Sequence, residues 1–102
     1  MAAIPDVLRV NNSGYELLLE NEKVRVMEVR LKPGQKSPMH NHPGDHVVFV
    51  RNDAQFRLSF PDGKSAVFDL KAGKALWIEA GSHETENVGK TNGDNLVIEL
   101  KK

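Results

Sequence analysis

The sequence predicts an all-β domain that closes on itself, and three observations carry that prediction. No stretch longer than ten residues keeps apolar side chains at helical spacing, short alternating runs recur from residue 15 to the end, and Gly, Pro, Asn and Asp interrupt them. A chain of 102 residues makes one domain that buries roughly 65% of its extended surface. Residues 1–14 read as an N-terminal arm or edge strand and residues 15–102 as the barrel.

The elements follow in order. The run 15–19 gives way at Glu20-Asn21-Glu22, and the run 23–31 is stopped by Pro33-Gly34. A polar segment leads to His46, which opens a β-branched run through residue 51 that Asn52-Asp53 turns. Residues 55–60 then alternate, with Phe56, Leu58 and Phe60 on one face. Pro61-Asp62-Gly63 is a turn, Ala66, Phe68 and Leu70 share the next face, and Lys71-Ala72-Gly73-Lys74 turns into the run 75–79. A polar hairpin loop over residues 90–95 precedes the last strand, whose inward face is expected to be Leu96, Ile98 and Leu100. Eight to ten short strands suit a closed barrel or jelly roll, because closure removes the unpaired edges that would template aggregation.

Composition narrows the function. Without cysteine there is no disulfide framework, iron–sulfur cluster or thiolate zinc site, so any metal must be held by His, Asp or Glu. Fourteen basic against fourteen acidic residues, with no basic block, argues against nucleic acid as a partner. Apolar stretches such as residues 47–50 and 17–19 are far too short to span a bilayer, and residues 1–6 lack a basic-then-apolar leader pattern. The expectation is a cytoplasmic protein with no membrane partner, acting on small molecules or pairing with a second copy.

All four histidines fall in two places: His40, His42 and His46 within seven residues, and His83 well beyond them. Residues two apart on an extended segment project to one face, so the His40 and His42 rings converge, and His46 heads a strand on which Val48 and Val50 share its parity. His83 can reach them if its strand packs across the barrel, giving nitrogen donors suited to Fe, Ni, Cu, Zn, Mn or Co.

The spacing Gly34, five residues, His40, one residue, His42, three residues, His46 resembles the first motif of the cupin superfamily. His46 stands where that motif has Glu, and Asp53 where it has a later Gly. Gly73, Gly81, His83 and Asn87 resemble the second motif, with Glu79 at its proline position and one residue rather than two between Gly81 and His83. The resemblance implies a cupin-type double-stranded β-helix with one divalent transition metal on His40, His42, His46 and His83, and a homodimer formed through an edge strand.

Replacing the usual carboxylate by His46 would leave a divalent ion with two units of positive charge rather than one. Such a centre favours a small anionic ligand, and lowers the pKa of bound water further. Four imidazoles leave two positions open on a six-coordinate ion, which permits a chelating organic acid or ketone together with dioxygen, hence dioxygenase or isomerase chemistry; a closed, structural site is the other outcome. A non-catalytic binding or regulatory module remains the alternative, since no general base beyond the histidines and no Ser-His-Asp set is evident.

Around the ligands, Asn87 is the expected acceptor for a ring nitrogen, with Asp45, Glu84 and Glu86 as further candidates. Walls would come from Val48, Val50, Phe56, Leu58, Phe60, Phe68, Trp77 and Ile98. Met39, Trp77 and Phe56 are the candidates to face a ligand. Arg51 and Arg57 are expected to face water.

Overall fold

The structure is a computed structural model that describes residues 3–101. The sequence readings that touch Met1, Ala2 and Lys102 therefore fall partly outside the described residues. Nine strands follow one another: β1 (Tyr15–Glu20), β2 (Val24–Leu31), β3 (Lys36–His42), β4 (His46–Val50), β5 (Ala54–Ser59), β6 (Ser65–Leu70), β7 (Ala75–Ile78), β8 (Gly81–Asn87) and β9 (Gly93–Leu100). They form a five-stranded sheet in the order β1-β2-β9-β4-β7 facing a four-stranded sheet in the order β3-β8-β5-β6. Every strand pairing is antiparallel. This is the double-stranded β-helix that the resemblance to cupins implies. No helix among the described residues is long and apolar enough to cross a membrane.

The arm is neither free nor a strand. Asp6 caps a 3-10 turn at Val7–Arg9 by accepting from the Leu8 backbone N–H at 2.9 Å. It also forms a parallel bridge with Asn41, while the Asn41 N–H donates to the Pro5 carbonyl at 2.8 Å. Val7 is fully buried, so the arm adds a side chain to the core and lies against the strand that bears His40 and His42.

The two faces of β9 are opposite to expectation. Gly93, Asn95, Val97 and Glu99 are buried, while Leu96 and Ile98 are half-buried and Leu100 is exposed. One residue of parity moves every side chain to the other face of a sheet, and here the apolar set faces out. Register carries it into a row across all five strands: Leu19 opposite Val26, Val26 opposite Ile98, Ile98 opposite Val47, and Val47 opposite Trp77. The inner face is graded instead. Arg25, Glu99, His46 and the other histidines cluster at one mouth, and Met27, Val29, Leu31, Val50 and Phe56 fill the other end.

The closed end depends on one missing side chain. A Cβ on Gly93 would lie 2.2 Å from the Phe56 ring, so β9 and β5 approach there as closely as a glycine permits. Overpacking a filled core of this kind costs about 1–3 kcal/mol. Gly93→Ala should therefore lower the unfolding free energy by that amount, as read by denaturant titration, and adding Phe56→Leu should recover part of the loss. A neutral Gly93→Ala would show that the contact does not exist in solution.

Candidate metal centre

Local structure explains how the histidines come together. A register shift in β3 between Ser37 and His40 lets Ser37, His40 and His42 all point inward. His83 sits directly across from His40 on β8, and His46 opens β4 opposite Glu99. The His40 and His83 ring centroids are 4.8 Å apart, those of His40 and His42 5.0 Å, and those of His42 and His83 5.0 Å. One nitrogen from each of these three lies within 4.8 Å of the others, which is the span of a common metal ligand set.

His46 stands beside this triad. Its ring stacks on that of His42 at 4.3 Å, and its closest donor grouping is with His42 and Glu99. All four rings are thus gathered at one mouth, but three of them form the tight set.

The second nitrogen of each ring decides what the first can do. His40 Nδ1 is 2.7 Å from the Pro38 carbonyl, His46 Nδ1 is 3.0 Å from the Gly44 carbonyl, and His42 Nδ1 is 3.0 Å from Glu99 Oε2. Each of these oxygens accepts a hydrogen bond, so each Nδ1 must carry the proton and each Nε2 must present a lone pair. His40 Nε2 and His42 Nε2 are buried and have no hydrogen-bond partner. An unpaired buried acceptor costs about 1–3 kcal/mol, so two of them within one histidine cluster are poor packing but a good fit for a cation.

The histidines are also held neutral. Burial, reinforced by the neighbouring rings, lowers the pKa of both His42 and His83 to about 2. His40 and His46 are lowered as well, again chiefly by burial. Neutral imidazole is the form that binds metal.

Glu99 is the residue that sequence reading missed. It is 2% exposed, accepts from His42 through Oε2, and is met through Oε1 by Arg25 Nε at 3.1 Å and by the other arm of that guanidinium at 2.8 Å. Arg25 in turn reaches Asp6 of the arm at 3.1 Å. Burial raises the Glu99 carboxyl pKa, and the Arg25 charge opposes that rise. The carboxylate absent from the motif position occupied by His46 is thus present one bond further out, behind His42. Only the alternation of β9, which puts Glu99 on the face of Val97, could have signalled it.

The expected acceptor Asn87 is committed elsewhere. Its amide donates to the Leu31 and Thr91 carbonyls at 2.9 and 2.8 Å and accepts from the Gly89 N–H at 3.0 Å, stitching loop ends at the closed end of the barrel. Asp45 accepts from the Ala80 N–H at 2.8 Å as a turn residue, while Glu84 and Glu86 pair with Lys36 and Arg57 on the outer face. Arg51 is committed to Glu28 and Asp94.

Below the histidines lies a cavity of about 50 Å³. Of the three expected ligand-facing residues, Phe56 lines it; Met39 has the opposite parity to His40, and Trp77 is 54% exposed on the outer sheet face. Val48, Leu58 and Phe68 line it as expected, whereas Ile98 faces out.

Comparisons with known proteins agree with this architecture. Neither a family model nor a curated protein matches the sequence. Among solved structures, a cupin domain from Bordetella pertussis Tohama I superposes with a TM-score of 0.80 at 26% identity over 100% of both chains. An RmlC-like cupin with a double-stranded β-helix fold from Methanocaldococcus jannaschii gives 0.69 at 15% identity over 85% of this chain and 78% of that one. A cupin superfamily protein from Desulfitobacterium hafniense DCB-2 gives 0.65 at 18% identity over 92% and 82%.

Two expectations follow for the protein in solution. Glu99→Gln should weaken zinc affinity about 10–100-fold, the usual effect of losing the acceptor behind a ligating histidine, as read by competition with a chromophoric chelator; unchanged affinity would make Glu99 purely structural. In metal-free protein the histidine pKa values lie below the unfolded value near 6.5, so between the two the unfolded chain holds more protons. Stability is then full above about pH 6.5 and falls as pH drops, by up to about 1.4 kcal/mol per pH unit for each of His42 and His83. A denaturation midpoint that is flat from pH 7 to 5 would contradict their burial as neutral rings.

Proposed function

We propose that this chain, a small single-domain cupin, holds one divalent transition metal on Nε2 of His40, His42 and His83, with His46 as the next nitrogen donor, and binds a small organic acid or ketone there. The observation that carries this reading is the pair of buried Nε2 atoms without partners at the centre of the histidine cluster. The donor set fits, since neutral imidazoles, three of them (His40, His42 and His46) with Nδ1 already hydrogen-bonded, suit Fe, Ni, Cu, Zn, Mn and Co alike.

Bound there, such an ion supplies Lewis acidity and, as iron, the redox chemistry a dioxygenase requires. The protein does the rest. Acceptors on Nδ1 keep the His40, His42 and His46 rings in the binding tautomer, and apolar side chains from both sheets line most of the cavity. Glu99 supplies a negative charge behind His42 that favours cation binding.

Binding without turnover is the second reading, and one observation favours it. No carboxylate among the described residues lines the cavity, and Glu99, behind His42, is engaged by both Arg25 and His42. Oxygen uptake by iron-loaded protein across a panel of diketones and small carboxylates separates the two: consumption with any of them supports the oxygenase, and none at full iron occupancy supports a binding module.

The metal reading has its own test. Purified, untagged protein should contain a transition metal by elemental analysis. After chelation, adding metal at a hundredfold excess over its dissociation constant should stabilise it by about 2.7 kcal/mol, and His42→Ala should remove that gain. Less than about a tenth of an equivalent of every transition metal, with no stabilisation on adding any, would overturn the reading.

A further inference from the structure

Thr85 and Asn95 are buried polar side chains that the fold leaves unused. They are 3% and 2% exposed, Thr85 Oγ1 and Asn95 Oδ1 have no hydrogen-bond partner, and both line the cavity beneath the histidines. Each such atom costs about 1–3 kcal/mol when nothing pairs with it. Among the described residues no Lys, Arg, Asp or Glu shares the cavity with them, and its remaining walls, apart from Tyr15, His46 and His83, are aliphatic or phenyl side chains.

Their placement follows from register. Gly93 on β9 abuts Phe56, which pairs with Asn87 on β8. Two residues along each strand from that contact, Asn95 and Thr85 take the next inward positions, one on each sheet. One inward position further along β8 is His83, so Thr85 lies about 6.7 Å below the histidine level.

Resting on the metal-centre reading, we infer that Thr85 and Asn95 read the far end of the ligand, and that the ligand is a short unbranched organic acid bearing a terminal hydroxyl. The carboxylate sits at the histidine mouth, a short carbon chain fills the apolar middle, and the hydroxyl lies between Thr85 and Asn95. A hydroxyl both donates and accepts, so it donates to Asn95 Oδ1 and accepts from Thr85 Oγ1. A methyl group leaves both atoms unpaired, a ketone leaves Asn95 Oδ1 unpaired, and a charged terminus finds no counter-charge in these walls. The drop of about 6.7 Å corresponds to roughly four or five carbons.

The test uses zinc-loaded protein, with occupancy measured first, and isothermal calorimetry with two probe pairs: 4-hydroxybutanoate against butanoate, and 5-hydroxypentanoate against pentanoate. At least one hydroxy acid should bind ten or more times tighter than its plain partner, and Thr85→Val and Asn95→Leu should each reduce that ratio to about two or less. In ligand-free protein Thr85→Val should also raise the melting temperature, because it removes an unpaired buried group while keeping the shape. A loaded protein that binds the members of each pair alike, or binds none of them, overturns this inference while leaving the metal centre standing. So does a lowered melting temperature in Thr85→Val, which would show the hydroxyl to be structurally paired. Failure to load zinc is a separate result and contradicts the metal-centre reading itself.

Discussion

The hydrogen bonds on the outer nitrogens of the histidines constrain everything else at this mouth. Imidazoles crowded together out of water cannot all be charged, and burial with mutual repulsion keeps them neutral. A neutral ring has one donor and one acceptor, and its environment chooses which points where. Here two backbone carbonyls and one carboxylate take the Nδ1 protons of His40, His46 and His42. The lone pairs are left facing inward, where no described residue meets those of His40 and His42. A barrel built only for stability would fill that space with aliphatic side chains, as it does at the other end.

The same logic reaches outward along one line of contacts. His42 is set by Glu99, Glu99 by Arg25, and Arg25 by Asp6, which caps the 3-10 turn of the arm. Removing one partner from a buried ion pair is far more damaging than its presence is stabilising. The line therefore holds ligand geometry better than it holds the fold together. It also gives the arm a role beyond covering the core, because its bridge to Asn41 braces the strand between His40 and His42.

Much of this was legible in the sequence. Alternation with frequent turn residues identified the barrel, and the period of two put His40 and His42 on one face although β3 carries a register shift beside them. What escaped was which face of β9 turns inward. Leu96, Ile98 and Leu100 look like a core stripe, but they belong to an outer apolar row while Asn95 and Glu99 are inside. Period alone cannot say which of two faces is buried, and hydrophobicity misled because the interior of this barrel is polar where it serves a site. Asn87 was misjudged for a related reason: its position in a motif could not show that its amide is used up by Leu31, Thr91 and Gly89. Trp77 is expected at an inward wall position, whereas its register partner Val47 places it outside.

The tautomers are the most direct point of attack on this account, and they can be read without any metal. Long-range proton–nitrogen correlation NMR on metal-free protein at pH 7 distinguishes a protonated Nδ1 from a protonated Nε2 ring by ring. The account predicts neutral rings with the proton on Nδ1 for His40, His42 and His46. Imidazolium signals, or protons on Nε2 in His40 and His42, would mean that the lone pairs face away from the centre and that no cation is meant to sit there.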